Sequence, residues 1–376
     1  MNLAIRDIRH HMGRFVLTCL GLALLLGVVI SMVGIYRGLV SDALSLVRAP
    51  APDLWVVEGK TRGPFAEASR IPFDMRDAIA RIDGIAEAGA VTYQSLQLEI
   101  DGRILRAFVV GYEPGRPGGP ANLAEGRPIE RSHFEIVADR RTGIPLAAKF
   151  KIGADWFTVV GRTAGQVDSA GNPTIYMTLK DAQKIQFQQE GAAARNLAVR
   201  GESGTPNQVN AVLAKLKPGV DRLALVQAIE RWKHLSAMTQ NDQEALLLQS
   251  VVEKARKQIG LFTAILLVVS TVIIALIIHT MTLDKVREIA TLKLIGAPDR
   301  SIVGLILQQA LAMGTISFSL GAGLLFLLAG HFPRRVEILP GDIIALASAV
   351  ALACVLASML GVRHALKIDP AQALGG

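Results

Sequence analysis

Apolar positions run unbroken by charge in four places along the chain. No Asp, Glu, Lys or Arg falls within 15–36, 258–283, 301–333 or 343–362. Each stretch is long enough to cross a hydrocarbon core of about 30 Å as a helix. The pattern predicts spans at 15–36, 258–283, 301–330 and 343–362. The third stretch exceeds one straight crossing, so its helix is expected to start near Ile302 and end near Gly330. An amphipathic helix over 1–14 precedes the first span, with Ala4, Ile8, Met12 and Phe15 on one face and Arg6, Arg9 and Arg14 elsewhere.

Between the first two spans, 37–257 returns to the mixed polar pattern of a globular domain. At its edges the spans continue as amphipathic helices, 37–48 and 241–257, which form a two-helix stalk. Leu39, Ala43 and Leu46 mark the first, which Pro50 and Pro52 stop. Asn241, three residues before Glu244, reads as the cap of the second, whose stripe is Ala245, Leu248, Val252, Ala255 and Ile259. Strands are expected at 53–57, 91–100, 105–111, 135–138, 156–161, 174–177 and 196–199, with a turn at 151–153. Helices are expected at 73–82, 179–189 and 206–216. The order predicts an α/β domain interrupted by a β-rich insert near 101–190, with 113–122 an exposed Gly/Pro connector. The fold class is thus membrane α-helical with four transmembrane helices, plus a large extracytoplasmic α/β domain on the stalk.

Composition agrees. The chain has 376 residues, 51% hydrophobic and 19% charged, below the roughly 25% charge of soluble domains. A wholly soluble, disordered or fibrous chain is excluded. The net charge of +8 includes no basic run interleaved with aromatics, so nucleic acid is not an expected partner. The basic residues read instead as topology signals. Arg6, Arg9, Arg14, Lys285, Arg287, Lys293, Arg300, Arg363 and Lys367 fall on one side, against Arg334 and Arg335 on the other. By the positive-inside rule, 284–300 and the 363–376 tail are cytoplasmic, while 37–257 and the short 331–342 loop are outside.

Catalytic chemistry finds no foothold. Gly59-Lys60-Thr61 lacks the first glycine of a phosphate loop, since position 54 is Leu54. The histidines, including His279 in the second span, form no HxxxH or HExxH pair. No G-x-S-x-G occurs. Cys19 and Cys354 both fall within spans, so no disulfide framework or cysteine metal site is expected. The main polar residues of the spans are Ser31, Ser270, Thr271, Ser317 and Ser319, with no charged group among them, which argues against a polar pathway at the midplane. Gly34 and Gly38 form a small-xxx-small pair suited to close helix contact between subunits.

The segment VREIATLKLIGAPDRSI (286–302) reads as a short amphipathic helix with Ile289, Leu292 and Ile295 on one face. Gly296 and Pro298 end it, and Asp299 is placed to cap the next helix. This segment resembles the cytoplasmic loop of the FtsX/MacB-like, type VII, ABC transporter permeases. KIDPAQALGG (367–376) is similar to that family's C-terminus and GADWFTVVGRT (153–163) to its external domain. The layout of one span, a large external domain and three further spans also matches.

The resemblance implies a permease subunit of the bacterial inner membrane, working as a homodimer with two copies of a separate ABC ATPase. ATP and magnesium are bound by that partner, and no cofactor by this chain. The coupling helix implied is Arg287, Glu288, Ile289, Leu292, Lys293, Leu294, Ile295 and Gly296. The dimer and stalk set is Gly34, Gly38, Ala245, Leu248, Val252 and Ala255. ATP-driven closing inside is expected to move the stalk and external domain, exporting or extracting a lipid, lipopeptide or amphiphilic compound, with a periplasmic adaptor as a further partner. The alternatives are mechanical signalling to a cell-wall hydrolase in the FtsX manner, or an ATPase-independent receptor.

Overall fold

The computed structural model describes residues 12–100, 102–189, 207–232, 234–284, 286–295, 298–332 and 334–366. The amphipathic helix read over 1–14, apart from its last turn, the strand at 196–199 and the 367–376 segment lie outside them. The chain divides into two compact units, one of Leu39–Lys254 and one of the segments flanking it, through Gly38 and from Ala255. The first helix, α1 (Met12–Arg48), runs without a break from one into the other.

The Leu39–Lys254 unit is built on one mixed sheet. Its elements are β1 (Leu54–Glu58), β2 (Ile71–Pro72), α2 (Met75–Ala80), β3 (Ile85–Ile100), β4 (Arg103–Tyr112), β5 (Glu125–Gly126), β6 (Glu135–Asp139), β7 (Lys149–Ile152), β8 (Asp155–Thr163), β9 (Thr174–Thr178), α3 (Leu179–Gln189), β10 (Gln208–Val209), β11 (Ala211–Leu216), α4 (Arg222–Glu230), β12 (Leu235–Thr239) and α5 (Gln240–Leu247). The strand order is β12-β1-β11-β3-β4-β9-β6-β8-β5, with β7 on β8; only β4–β9 and β6–β8 are parallel among the described pairs. β2 and β10 form a separate two-stranded ladder.

The long strand β3 belongs to two cores and pairs with β4 in a hairpin closed at Gly102, φ +74°. Its first part, through Ile85, Ala88 and Ala90, lies ahead of the hairpin and joins Leu54, Val56, Val212 and Ala214 beneath Ile79 of α2 and Ile229 of α4. The hairpin itself, through Leu96, Leu98, Ala107 and Val109, joins Ile136, Phe157, Val159 and Met177 beneath Ile185 of α3. The β-rich segment therefore extends the same sheet.

Three expectations are corrected here. Residues 206–216, read as a helix, hold β10 and β11. Ala211, Val212, Leu213 and Ala214 are all fully buried, because β11 lies between β1 and β3 and is covered on both faces. Such a strand loses the alternation that announces a strand. The 113–122 connector is folded onto the sheet, with Pro117 and Gly118 buried. Pro117 sits over Gly89 and Gly118 against Val91, where a side chain on either glycine would collide. The cap of α5 is Thr239 rather than Asn241: its hydroxyl accepts from the Asp242 N–H, and Asp242 accepts in return from the Thr239 N–H.

The remaining helices are α6 (Glu253–Asp284), α7 (Val286–Leu294), α8 (Asp299–Leu328) and α9 (Pro340–Leu366). Among the described residues, four helical stretches are long and apolar enough to cross a membrane: Phe15–Arg48, Glu253–Leu283, Asp299–His331 and Pro340–Arg363. Asp299 is the first residue of α8; the cap position is Pro298, with no side-chain cap bond. Their packing depends on small residues. A Cβ on Gly321 of α8 would lie 2.6 Å from the Ala23 carbonyl of α1, and one on Gly314 2.5 Å from Cys354 Sγ of α9.

Gly34 and Gly38 likewise serve contact within the chain rather than between subunits. A Cβ at Gly34 would meet the Val336 side chain and one at Gly38 the Arg335 carbonyl, so the 334–338 segment lies directly on α1. The Glu337 N–H donates to the Gly34 carbonyl at 3.1 Å. Arg37 donates from Nε and Nη2 to the two carboxylate oxygens of Asp342 at 2.8 and 2.7 Å.

At the outer end of the sheet, buried Glu135 is the anchor of the 127–134 loop. It accepts from Arg127 Nη2 at 2.6 Å and Nη1 at 3.1 Å, and from the Glu130 and Arg131 N–H groups at 3.1 Å. The Arg127 guanidinium, helped by those amides, holds the Glu135 carboxyl at about 2 against an ordinary 4.5. A carboxyl lowered on folding stabilises the fold above its unfolded value and loses that contribution as pH falls through its folded value. The melting temperature of the purified chain is therefore expected to fall between pH 4.5 and about 2. Glu135→Gln should already melt lower at neutral pH and lose less on acidification. An unchanged acid slope in that variant would contradict the assignment.

Candidate functional site

α7 is a nine-residue helix between two spans. It buries Val286, Ile289, Ala290 and Lys293 in part or in full, a spacing of three, four and seven that makes one face. Ala290 is fully buried, and Ile289, 7% exposed, belongs to the same core as Phe15, Ile278, Ile302 and Ile306. The opposite side carries Thr291, Leu294 and Ile295; Leu294 is 62% and Ile295 79% exposed. The Ile295 N–H donates to the Thr291 carbonyl at 3.1 Å, so the helical turn reaches that residue.

The face read from sequence is thus divided. Ile289 anchors α7 to the spans and presents nothing to a partner, while Ile295 points away from them. The reason is that the spans need apolar cover where α7 rests on them, and the residues that supply it are Ile289 and Ala290, with Val286 one turn before, rather than Ile289 and Ile295. Arg287, Glu288 and Leu292 lie on α7 with side chains outside the described residues, as is all of Gly296.

The stalk stripe is also shifted. α5 and α6 are joined by a π turn, Leu248–Val252. That turn adds a residue to the helical repeat, so the buried face runs Gln243, Leu247, Val252, with a step of five between the last two in place of four. Val252 is buried as read, but Ala245 is exposed, and Leu248 and Ala255 are only half-buried. The helix ends are tied by Arg48, which donates to both carboxylate oxygens of Glu244 at 2.9 and 2.7 Å and holds that carboxyl below its ordinary value. Sequence reasoning missed both Arg48 and Glu244, which are about 200 positions apart and carry no shared motif.

Within the spanning unit, an apolar groove of about 530 Å³ opens between α1 and α6, lined by Thr18, Leu22, Leu25, Val28, Ile273 and Ile277 among others. Among the described residues, no three His, Cys, Asp or Glu side chains gather as a metal site.

Comparison with known proteins matches the chain in two parts. A model of the MacB-like periplasmic core domain matches residues 15–232, and one of the FtsX-like permease C-terminal region matches residues 260–370. The chain is 27% identical over 377 residues to an uncharacterized ABC transporter permease of Mycobacterium tuberculosis, and 24% identical over 377 residues to one of Mycobacterium bovis; each alignment covers 99% of both chains. The crystal structure of the periplasmic region of MacB from Actinobacillus actinomycetemcomitans is similar to 51% of this chain and 91% of that one, at 13% identity and a TM-score of 0.36.

The π turn sets which leucine matters. Leu247→Ala should destabilise the chain by about 2–4 kcal/mol, the usual cost of emptying a buried leucine site. Leu248→Ala should cost clearly less. Chemical unfolding followed by tryptophan emission measures both, and the reverse ranking would restore the uninterrupted stripe.

Proposed function

The chain belongs to the FtsX/MacB-like family of ABC transporter permeases, and from that premise we propose that it is the membrane-spanning subunit through which a separate ATPase drives motion of the Leu39–Lys254 unit. The observation that carries the reading is the two-sidedness of α7. One face is fixed in the core of the spans through Ile289 and Ala290, and the other offers Leu294 and Ile295. An exposed apolar pair on a helix fixed at its back is suited to a partner's groove, and movement of that partner is passed to the spans rather than absorbed by a loose loop.

Two copies of the chain and two ATPases make the working unit, set in the inner membrane with the α/β domain outside. ATP and magnesium belong to the partner; this chain supplies the lever and the path. The cargo is a lipid, lipopeptide or other amphiphile. The predominantly apolar lining of the α1–α6 groove supports that class, as does the freedom of 15–36, 258–283, 301–333 and 343–362 from Asp, Glu, Lys and Arg. α1, continuous from Met12 to Arg48, is the element that carries the change outward.

The test is replacement of Leu294 and Ile295 together by Asp. Burying two unpaired carboxylates in an apolar groove costs several kcal/mol. The ATPase that co-purifies with the wild-type chain should therefore be lost, by at least about tenfold, while yield and melting temperature stay unchanged. Ile289→Asp should lower the yield of folded chain itself. Full recovery of the ATPase with the Leu294/Ile295 variant would overturn the docking assignment.

A further inference from the structure

A second site lies within the α/β unit, on residues that α7 and the stalk helices do not include. Under the 127–134 loop a cleft of about 610 Å³ is lined by Arg127, Arg131, His133, Phe134, Glu135 and Lys149, among others, and its floor is Thr158 and Val160 of β8. Three of these side chains are cationic and one is anionic. Glu135 is already saturated by Arg127 and two backbone amides, and Arg131 reaches it only at 3.5 Å through Nε. Arg127 also has Glu130 at 3.6 Å. Lys149 has no carboxylate within ion-pair reach among the described residues. The cleft thus carries positive charge in excess, with Arg131, whose ion pair with Glu135 is long, and Lys149 both exposed.

The second observation is independent of charge. Phe134, at the cleft wall, has φ +66°, a left-handed conformation that is a strained outlier for a bulky aromatic residue. The loop is held there by buried Asp181, which accepts from the Phe134 N–H at 2.9 Å and contacts His133 Nδ1 at 2.8 Å. The Thr158 N–H donates to the Phe134 carbonyl at 2.9 Å. This fixed strain leaves the Phe134 ring 42% exposed. On β8, Trp156 stands two residues before Thr158, on the same face of the strand, and is 64% exposed; its cross-strand partner on β7 is Lys151. Large exposed aromatics beside lysine and arginine provide both halves of an amphiphile site, apolar area and a fixed cation.

We propose that this cleft binds an anionic amphiphile, its phosphate or carboxylate head held by Arg131 and Lys149 and its first carbons laid against Phe134 and Trp156. The site is separate from the α7 contact, so it stands or falls independently of the ATPase-coupled reading.

The test uses the full chain in phosphatidylcholine nanodiscs. Hexyl phosphate, inorganic phosphate, hexyl glucoside and hexaglutamate are titrated, and binding is read from tryptophan emission, with Trp156→Phe identifying the local signal. Hexyl phosphate should bind saturably and at least about tenfold tighter than inorganic phosphate or hexyl glucoside, since it alone uses both halves of the site. Arg131→Ala with Lys149→Ala should weaken it by about tenfold, and Lys149→Arg should retain it. Both residues are exposed, so these variants should melt as the parent does. No saturable binding, equal binding by the double variant, or equal binding of hexyl glucoside would overturn the proposal. Inorganic phosphate binding as well as hexyl phosphate would make the cleft a simple anion site, and preferential hexaglutamate binding a peptide site; either also overturns it.

Discussion

Helix α1 can be approached by the 334–338 segment only because Gly34 and Gly38 carry no side chain. A methyl group at either position would collide with Val336 or with the Arg335 backbone. With that space open, the Glu337 N–H reaches the Gly34 carbonyl, and Arg37, one residue before Gly38, forks onto Asp342 at the start of α9. The pair is half-exposed and contributes little stability alone. Its importance is geometric, because it fixes the rotation and height of α1 against the α8–α9 turn. The Gly27–Gly321 and Gly314–Cys354 contacts repeat the same device deeper in the spanning unit. Close contacts between small residues hold helices where apolar lipid gives no drive to associate. α1 is thus gripped over its apolar length and continues, without a proline or glycine break after Gly38, to Arg48 and its partner Glu244.

One device recurs in the two units. In the spanning unit α7 is nailed down by Ile289 and leaves Leu294 and Ile295 exposed. In the Leu39–Lys254 unit, Asp181 and Glu135 nail down a loop that leaves Phe134 and Arg131 exposed. In each case a buried group removes the motion of the segment, so that the exposed residues beside it are presented in one geometry. Preorganisation of this kind lowers the ordering cost of binding.

Much of this was legible in the sequence, and the failures are instructive. Charge-free stretches locate the four apolar helices, because excluding charge from hydrocarbon is a constraint on composition rather than on detail. The 91–100 and 105–111 strands could be read because one face alternates. β11 could not, since a strand covered on both sides shows only an apolar run, which a short helix also shows. The 113–122 loop reads as a turn from its glycines and prolines, but its burial depends on Gly89 of a distant strand. The side of α7 that faces the spans depends on helices far away in sequence, so its amphipathic pattern alone placed Ile289 on the wrong side. The π turn at Leu248–Val252 has no residue signature; it appears only as a shift between Leu247 and Val252.

The central claim is that α1, held by the 334–342 turn, carries the ATPase-driven change beyond the membrane. Hydrogen–deuterium exchange on the ATPase-bound chain, with and without a non-hydrolysable ATP analogue, tests it directly. Nucleotide should alter amide exchange in 286–294 and also in 39–48, and Gly38→Val should abolish the second change while sparing the first. A wild-type complex in which nucleotide alters 286–294 but leaves 39–48 untouched would contradict the account.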